Sequence, residues 1–180
     1  MRALVVFESL YGNTGAVGEA IAEGLRSAGM PVDGGPITRI APQAASGVDL
    51  LVVGGPTHAH GMSRTRTRAS AIEELSTSFE MPSAADGLRE WMRQLPRGLG
   101  RRATAFDTRF HKPVAMSGSA ARGIAHRLEG HGYVVVAPPE SFFVTPGNRL
   151  EPGQFERAEA WGADLAVSVG RRILGAAPAA

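Results

Sequence analysis

A polar, glycine-containing segment near the start of the chain carries residue types that could bind an anion. Leu4 to Phe7 form a continuous apolar run, and the segment from Ser9 to Thr14 (SLYGNT) follows almost at once. Hydroxyl and amide side chains suit a phosphate group, and so do the free backbone amides at the start of a helix. The segment therefore predicts a phosphate site between a strand and a helix.

The spacing within this segment excludes several other motifs. No Gly-Lys-Ser/Thr occurs, so a Walker loop is excluded, and Gly12, Gly15 and Gly18 do not fit the dinucleotide-binding fingerprint. Ser9 lacks the flanking glycines of a hydrolase nucleophile elbow. An ordinary turn, in which asparagine and threonine cap the helix, remains an alternative.

Alternating strand and helix patterns must position the segment. Buried-strand patterns occupy residues 4–7, 49–54, 102–106 and 133–137, a weak edge strand lies within 30–40, and residues 141–144 extend the last strand beyond a Pro-Pro pair. Helical patterns follow most of the strands, up to a closing helix over 154–174. We predict an α/β fold with one doubly wound sheet of five parallel strands, in the order 2-1-3-4-5, and helices on both faces.

Two further polar segments follow predicted strands. The sequence GPTHAHG follows residues 49–54, and FDTRF follows or overlaps the end of the strand at 102–106. In a doubly wound sheet the carboxyl ends of neighbouring parallel strands border one crevice. We therefore expect all three polar segments to face a common ligand.

The first segment resembles the phosphate loop of the flavodoxin family, which has the pattern T/S-x-T-G-x-T. Ser9, Gly12, Asn13 and Thr14 match that pattern. Tyr11 departs from it, because a bulky phenol replaces a small hydroxyl residue. The resemblance therefore implies only a backbone amide contact at position 11.

The second segment resembles the flavodoxin strand end G-x-S/P-T, which is followed by an aromatic residue against the flavin ring. Pro56 and Thr57 match, and His58 stands where tryptophan or tyrosine is usual. The resemblance implies that His58 contacts the flavin.

The third segment is similar to the flavodoxin loop that contacts the other flavin face and its pyrimidine edge. Asp107 matches, and Phe106 or Phe110 is expected to stack on the ring. An acid near the ring would disfavour the anion of the reduced flavin. On residues alone, an exposed turn is the alternative for Asp107.

The resemblance covers residues 1 to about 172 and implies FMN as the cofactor and electron transfer as the function. The implied cofactor-binding residues are Ser9, Tyr11, Gly12, Asn13, Thr14, Pro56, Thr57, His58, Phe106, Asp107, Thr108 and Phe110. Two alternatives stay open. One is an FMN-dependent NAD(P)H oxidoreductase acting on a quinone or tetrapyrrole, and the other is a flavodoxin-like binding module without FMN.

Composition narrows the class of protein. With 180 residues and 43% hydrophobic content, one domain over 1–174 with a frayed tail over 175–180 is expected. The absence of cysteine excludes disulfides and thiol catalysis and fits the cytoplasm. No apolar run is long enough for a membrane span, and no metal site is expected, since His58 and His60 lack a third ligand.

Arginine dominates the basic residues. Lys112 is the only lysine among 19 basic residues, and the net charge is +2. Flavodoxin carriers are usually acidic, so a different partner is implied. Arginines at 64, 66 and 68 and from 89 to 109 suggest an acidic redox protein partner, with a solvated surface as the alternative. Nucleic acid is not expected, because no helix-turn-helix, finger or RNA-binding signature appears. Residues 62–85 are expected to form an insertion beside the crevice.

Overall fold

The computed structural model of the protein describes residues 1–58, 61–74 and 87–174. The strands are β1 Ala3–Phe7, β2 Val32–Pro36, β3 Leu50–His58, β4 Gly61–Met62, β5 Arg102–Phe110, β6 Val134–Val135 and β7 Glu140–Val144. The helices are α1 Asn13–Ser27, α2 Thr65–Glu74, α3 Leu88–Arg93, α4 Val114–Ser117, α5 Ala120–Gly130 and α6 Gln154–Leu174, and a 3-10 helix spans Pro42–Gly47.

The main sheet is parallel and doubly wound. Its order is β2-β1-β3-β5, and β6 and β7 each pair in parallel with β5, at its beginning and its end respectively. These two short strands share the fifth position because Pro138 and Pro139 interrupt the chain between them. The predicted order 2-1-3-4-5 is confirmed.

Apolar residues cover both faces of the sheet. On one face Val5 and Val52 pack in a core that includes residues of α1 and α6. On the other face Val53 packs with Trp91 of α3 and Ile124 of α5. Strands buried on both faces read as continuous apolar runs, which is why the sequence revealed them.

Helices α1 and α6 touch backbone to backbone. A Cβ added to Gly24 would lie 1.9 Å from the carbonyl oxygen of Glu159, and one added to Gly162 would lie 2.2 Å from that of Ile21. Only glycine permits this approach. The close packing fixes α1, and hence its amino-terminal end, against the carboxyl-terminal helix.

Strands β3 and β5 are longer than predicted. The segments at 55–58 and 106–110 were expected as loops, but both are strand, with Gly55 aligned to Asp107 and Pro56 to Thr108. After His58 the chain turns back, and β4 pairs antiparallel with β3. Polar residues are tolerated in these strand ends because Thr57, Asp107 and Thr108 hydrogen-bond to side chains of neighbouring strands and helices.

The described part of the insertion contains a helix. This helix, α2, begins at Thr65 and ends at Glu74. Helix α3 follows Gly87, whose amide donates to Glu90 Oε2 at 3.2 Å. The tail predicted at 175–180 lies outside the described residues. Within the described parts of the chain, no helix has the length and apolarity needed to cross a membrane.

Candidate functional site

A cavity of about 530 Å³ lies at the carboxyl ends of β1, β3 and β5. Residues that follow β1 and residues at the ends of β3 and β5 contribute to its wall, as do α2 and the segment after β7. The lining residues are Leu10, Tyr11, Asn13, Thr14, Pro56, Thr57, His58, Thr67, Thr108, Arg109, Phe110, Val144, Pro146 and Asn148. All three predicted segments therefore border one space.

The start of α1 offers backbone donors to this cavity. Gly12 precedes the helix with φ of 85°, a left-handed conformation that glycine adopts readily. Ser9 Oγ accepts the amide of Gly15 at 3.0 Å, whereas no acceptor in the described chain takes the amides of Asn13 and Thr14. The first turn of α1 holds no acidic residue, so its positive end is uncompensated.

The hydroxyl of Thr14 already has a protein partner. Thr14 Oγ1 and Thr108 Oγ1 lie 2.7 Å apart, and Thr14 is only 2% exposed. One hydroxyl donates to the other, which leaves the second hydroxyl hydrogen for another acceptor. Both predicted residues line the cavity as a pair.

Asn13 is held by a residue that sequence analysis missed. Its Nδ2 donates to the carbonyl oxygen of Asn148 at 2.9 Å and to Asn148 Oδ1 at 3.0 Å. Asn148 adopts a positive φ of 55°, which asparagine tolerates better than most residues. The contact joins α1 to the segment after β7 at the edge of the cavity.

Asp107 lies in the protein interior and not in a cofactor loop. It is fully buried, and its Oδ2 accepts hydrogen bonds from Thr57 Oγ1 at 3.0 Å, Ser119 Oγ at 2.7 Å and the amide of Ala121 at 2.8 Å. Asp107 does not line the cavity. It joins β5 to β3 and to the start of α5, which corrects the predicted role beside the ring.

Phe106 is also a core residue. It is 0% exposed and packs edge-on to Phe142, and a Cβ on Gly54 would lie 2.0 Å from its Cζ. Phe106 therefore cannot stack on a ligand in the cavity. Phe110 can, because it lines the cavity and is 47% exposed.

The remaining predicted residues divide between cavity wall and support. Tyr11, Pro56, Thr57 and His58 line the cavity, whereas Ser9 and Gly12 shape the turn without lining it. The lining residues missed by sequence analysis are Leu10, Thr67, Arg109, Val144, Pro146 and Asn148. Leu10 and Arg109 lie within two of the three predicted polar segments but were not predicted as site residues. Pro146 and Asn148 lie in a stretch whose composition indicates only a turn.

The arginines at 64, 66 and 68 do not form one exposed cluster. Arg68 is 2% exposed, and its Nη2 lies 2.9 Å from Glu90 Oε2. Arg64 and Arg66 are exposed. His60, half of the H-x-H pair, lies outside the described residues, and the described residues contain no group of three or more potential metal ligands.

No protein-family model and no curated protein sequence matches this chain. Several solved structures do match the chain. An archaeal flavodoxin is 20% identical with a TM-score of 0.66, and covers 94% of this chain and 99% of its own. Flavodoxin 1 from Bacillus cereus is 16% identical, with a TM-score of 0.63 and coverage of 95% and 98%. A flavodoxin WrbA-like protein from Agrobacterium tumefaciens is 17% identical, with a TM-score of 0.59 and coverage of 94% and 98%. At these identities the likeness concerns the fold.

Proposed function

Because the chain has a flavodoxin-like fold, we propose that it binds FMN in the cavity and serves as an electron-transfer protein. The observation that carries this proposal is the meeting of the α1 amino terminus with the carboxyl ends of β1, β3 and β5 around one cavity. In open α/β sheets this is the usual place for a ligand.

The cavity fits FMN in size and chemistry. Its volume of about 530 Å³ falls within the range of small-molecule sites, roughly 300 to 1,000 Å³. The amides of Asn13 and Thr14 suit a terminal phosphate, since a helix amino terminus attracts anions. Leu10, Pro56 and Phe110 provide apolar surface for a planar ring system. FMN would supply reversible redox chemistry, and the protein would orient it and exclude water.

Reconstitution tests the proposal directly. We expect the purified protein, or its apoprotein mixed with FMN, to show flavin absorption bands, with binding of FMN much tighter than that of riboflavin or FAD. Thr14→Val should weaken FMN about 10- to 150-fold, since a hydrogen bond to a charged group is worth roughly 1.5 to 3 kcal/mol. Ser168→Ala, an exposed hydroxyl on α6, is the control and should leave FMN affinity unchanged.

Riboflavin has the flavin ring of FMN but no phosphate, so its affinity distinguishes binding of the ring from binding of the phosphate. If Thr14→Val weakens riboflavin as much as FMN, the phosphate does not lie at α1. If neither compound binds, the chain is a flavodoxin-like binding module without FMN.

His58 should influence the bound flavin. It lines the cavity at the end of β3, and an imidazole titrates near neutral pH. A protonated imidazole beside the ring would favour the reduced anion. Midpoint potentials from pH 5.5 to 8.5 should therefore differ in slope between wild type and His58→Phe, and identical profiles would show that His58 does not contact the ring.

We place an acidic redox protein on a basic surface made by Arg64, Arg89 and Arg127. Burial lowers the pKa of Arg89, and the positive charges of Arg127 and Arg64 lower it further, so both arginines act electrostatically on Arg89. Arg89 also donates to the carbonyl oxygens of Ser63 at 2.8 Å and Met62 at 3.0 Å. The basic surface therefore adjoins the hairpin that follows His58.

Charge reversal tests this docking surface. Arg64→Glu and Arg127→Glu should slow electron transfer with an acidic [2Fe–2S] ferredoxin used as the probe, and added salt should slow the wild-type reaction. Arg26→Glu, on α1 at the opposite face of the sheet, is the matched control. Equal effects of all three variants would show that only net charge matters.

An FMN-dependent NAD(P)H oxidoreductase acting on a quinone or tetrapyrrole is the second candidate. Phe110 favours it, because a half-exposed aromatic residue at the cavity leaves room for a second planar ring. Hydride transfer requires stacking at about 3 to 3.5 Å. Anaerobic stopped-flow mixing with NADPH and NADH decides: the carrier should be reduced slowly, and rapid two-electron bleaching with quinone turnover would establish the oxidoreductase.

A further inference from the structure

Arg109 is a buried cation at the cavity. It lines the cavity near the end of β5 and is only 9% exposed. Its Nη1 donates to the carbonyl oxygens of Phe110 at 3.3 Å and Lys112 at 2.6 Å, and to Ser117 Oγ at 3.0 Å. Its guanidinium carbon lies 5.0 Å from the ring centroid of Phe143.

No carboxylate in the described parts of the chain forms an ion pair with Arg109. All three acceptors are neutral. Among the described residues its buried Nε has no hydrogen-bond partner. Asp107, the acid two residues earlier on the strand, does not bond to Arg109: its Oδ2 is occupied by three other donors, and its buried Oδ1 accepts no hydrogen bond from a described residue. A buried charge normally requires compensation, so the cavity suits an occupant with negative charge near β5.

The position of Arg109 on β5 directs its guanidinium away from the proposed phosphate site. Successive residues of a strand point to opposite faces, and Thr108 points toward Thr14 at the start of α1. Arg109 points the other way, toward Ser117 of α4. The proposed phosphate site and the Arg109 guanidinium thus lie on different sides of the same strand.

We propose that Arg109 sets the redox preference of the site by stabilising reduced FMN relative to oxidised FMN. The proposal rests on the proposed binding of FMN. Uptake of two electrons and one proton leaves a negative charge on the flavin ring, and a cation at the cavity favours that form over the neutral oxidised ring. In the test the electrons come from dithionite.

Arg109 also positions the segment at residues 110–118. Three hydrogen bonds from one nitrogen tie together Phe110, Lys112 and Ser117. Phe110 itself lines the cavity, so a change at Arg109 can act through its placement as well as through charge. The two effects separate experimentally, because lysine keeps the charge and glutamine does not.

The experiment measures the dissociation constant of oxidised FMN and the midpoint potential of the bound flavin. Arg109→Gln should lower the preference for reduced over oxidised FMN about tenfold, equivalent to a fall of about 30 mV for a two-electron couple. Arg109→Lys and Ser117→Ala should keep the wild-type preference, since both retain the cation. Arg122→Gln, an exposed arginine on α5, controls for net charge.

Three outcomes overturn the proposal. The first is an unchanged preference in Arg109→Gln. The second is a loss of the preference in Arg109→Lys as large as in Arg109→Gln, which would make the role one of placement alone. The third is weaker binding of oxidised FMN, but not of riboflavin, by Arg109→Gln, which would assign the cation to the phosphate. If wild-type apoprotein binds no FMN, the proposed function itself fails. The melting temperature of each apoprotein shows whether the variant folds. If Arg109→Gln does not fold, the comparison of Arg109→Lys with wild type tests the proposal.

Discussion

Thr14 and Thr108 share a buried hydrogen bond of 2.7 Å between their hydroxyl oxygens. The bond joins the second residue of α1 to the end of β5, so two of the predicted ligand segments hold each other in place. The cavity wall is therefore partly assembled by its own polar side chains.

A double-mutant cycle measures this bond in the apoprotein. Thr14→Val and Thr108→Val should each lower the free energy of unfolding by about 1 to 3 kcal/mol, because the remaining hydroxyl is left buried without its partner. The double variant should lose less than the sum, with a coupling of roughly 1 kcal/mol. Urea denaturation provides the values, and strictly additive losses would show that the hydroxyls do not depend on each other.

Asp107→Asn should destabilise the fold by about 2 to 4 kcal/mol, because three donors lose a charged acceptor. Asp33→Asn is the matched control. Asp33 is an exposed carboxylate paired with Arg2, and its loss should cost less than about 1 kcal/mol. Urea unfolding compares the two variants. A small effect at Asp107 would contradict its assignment as a structural anchor.

Gly162→Ala should destabilise the protein by at least about 1 to 3 kcal/mol, since the added Cβ would overlap the backbone of α1. Gly170→Ala on the same helix meets only ordinary contact, at 3.8 Å from Met1 Cε. The free energy of unfolding of Gly170→Ala should rise by up to about 1 kcal/mol, because alanine has a higher helix propensity than glycine. Opposite shifts of the melting temperature are expected, and equal shifts would be inconsistent with close α1–α6 packing.

Tyr133 gives a pH-dependent prediction. Burial raises the pKa of Tyr133, and the positive charge of Arg101 opposes part of that rise. The folded pKa is therefore above the unfolded value of about 10. Its contribution to stability is complete below pH of about 10 and is lost as pH rises through the folded pKa.

Tyr133→Phe should reduce the loss of stability above pH of about 10. At pH 7 it should change stability by no more than about 1 kcal/mol, because no described residue forms a hydrogen bond with the buried hydroxyl. Urea midpoints at both pH values test this, with Tyr11→Phe as the control. A large loss at pH 7 would show that the hydroxyl does have a partner.

The sequence was sufficient for the sheet order because the central strands are continuous apolar runs. It was insufficient for the strand ends. Asp107 and Thr57 look like loop residues, yet they hydrogen-bond to each other, and each also accepts a backbone amide at the start of α5. A pattern of polarity along the chain does not contain such cross-strand compensation, so β3 and β5 seemed to end early.

The site was predictable where its residues are consecutive and not where distant segments meet. The turn from Ser9 to Thr14 could be recognised, whereas Asn148 is 135 positions from the Asn13 it contacts. From the sequence, Arg68 and Arg109 were both expected to belong to an exposed basic surface. Only packing shows that one is paired with Glu90 and the other faces the cavity.

The glycine contact between α1 and α6 has a consequence for synthesis of the protein. Gly24 is translated more than a hundred residues before Gly162. At roughly 5 to 20 residues per second, about 7 to 28 seconds pass before α6 can cover α1. Until then, the apolar face of α1 and the amides at its start lack their final support. We therefore expect cofactor loading only after α6 has left the ribosome.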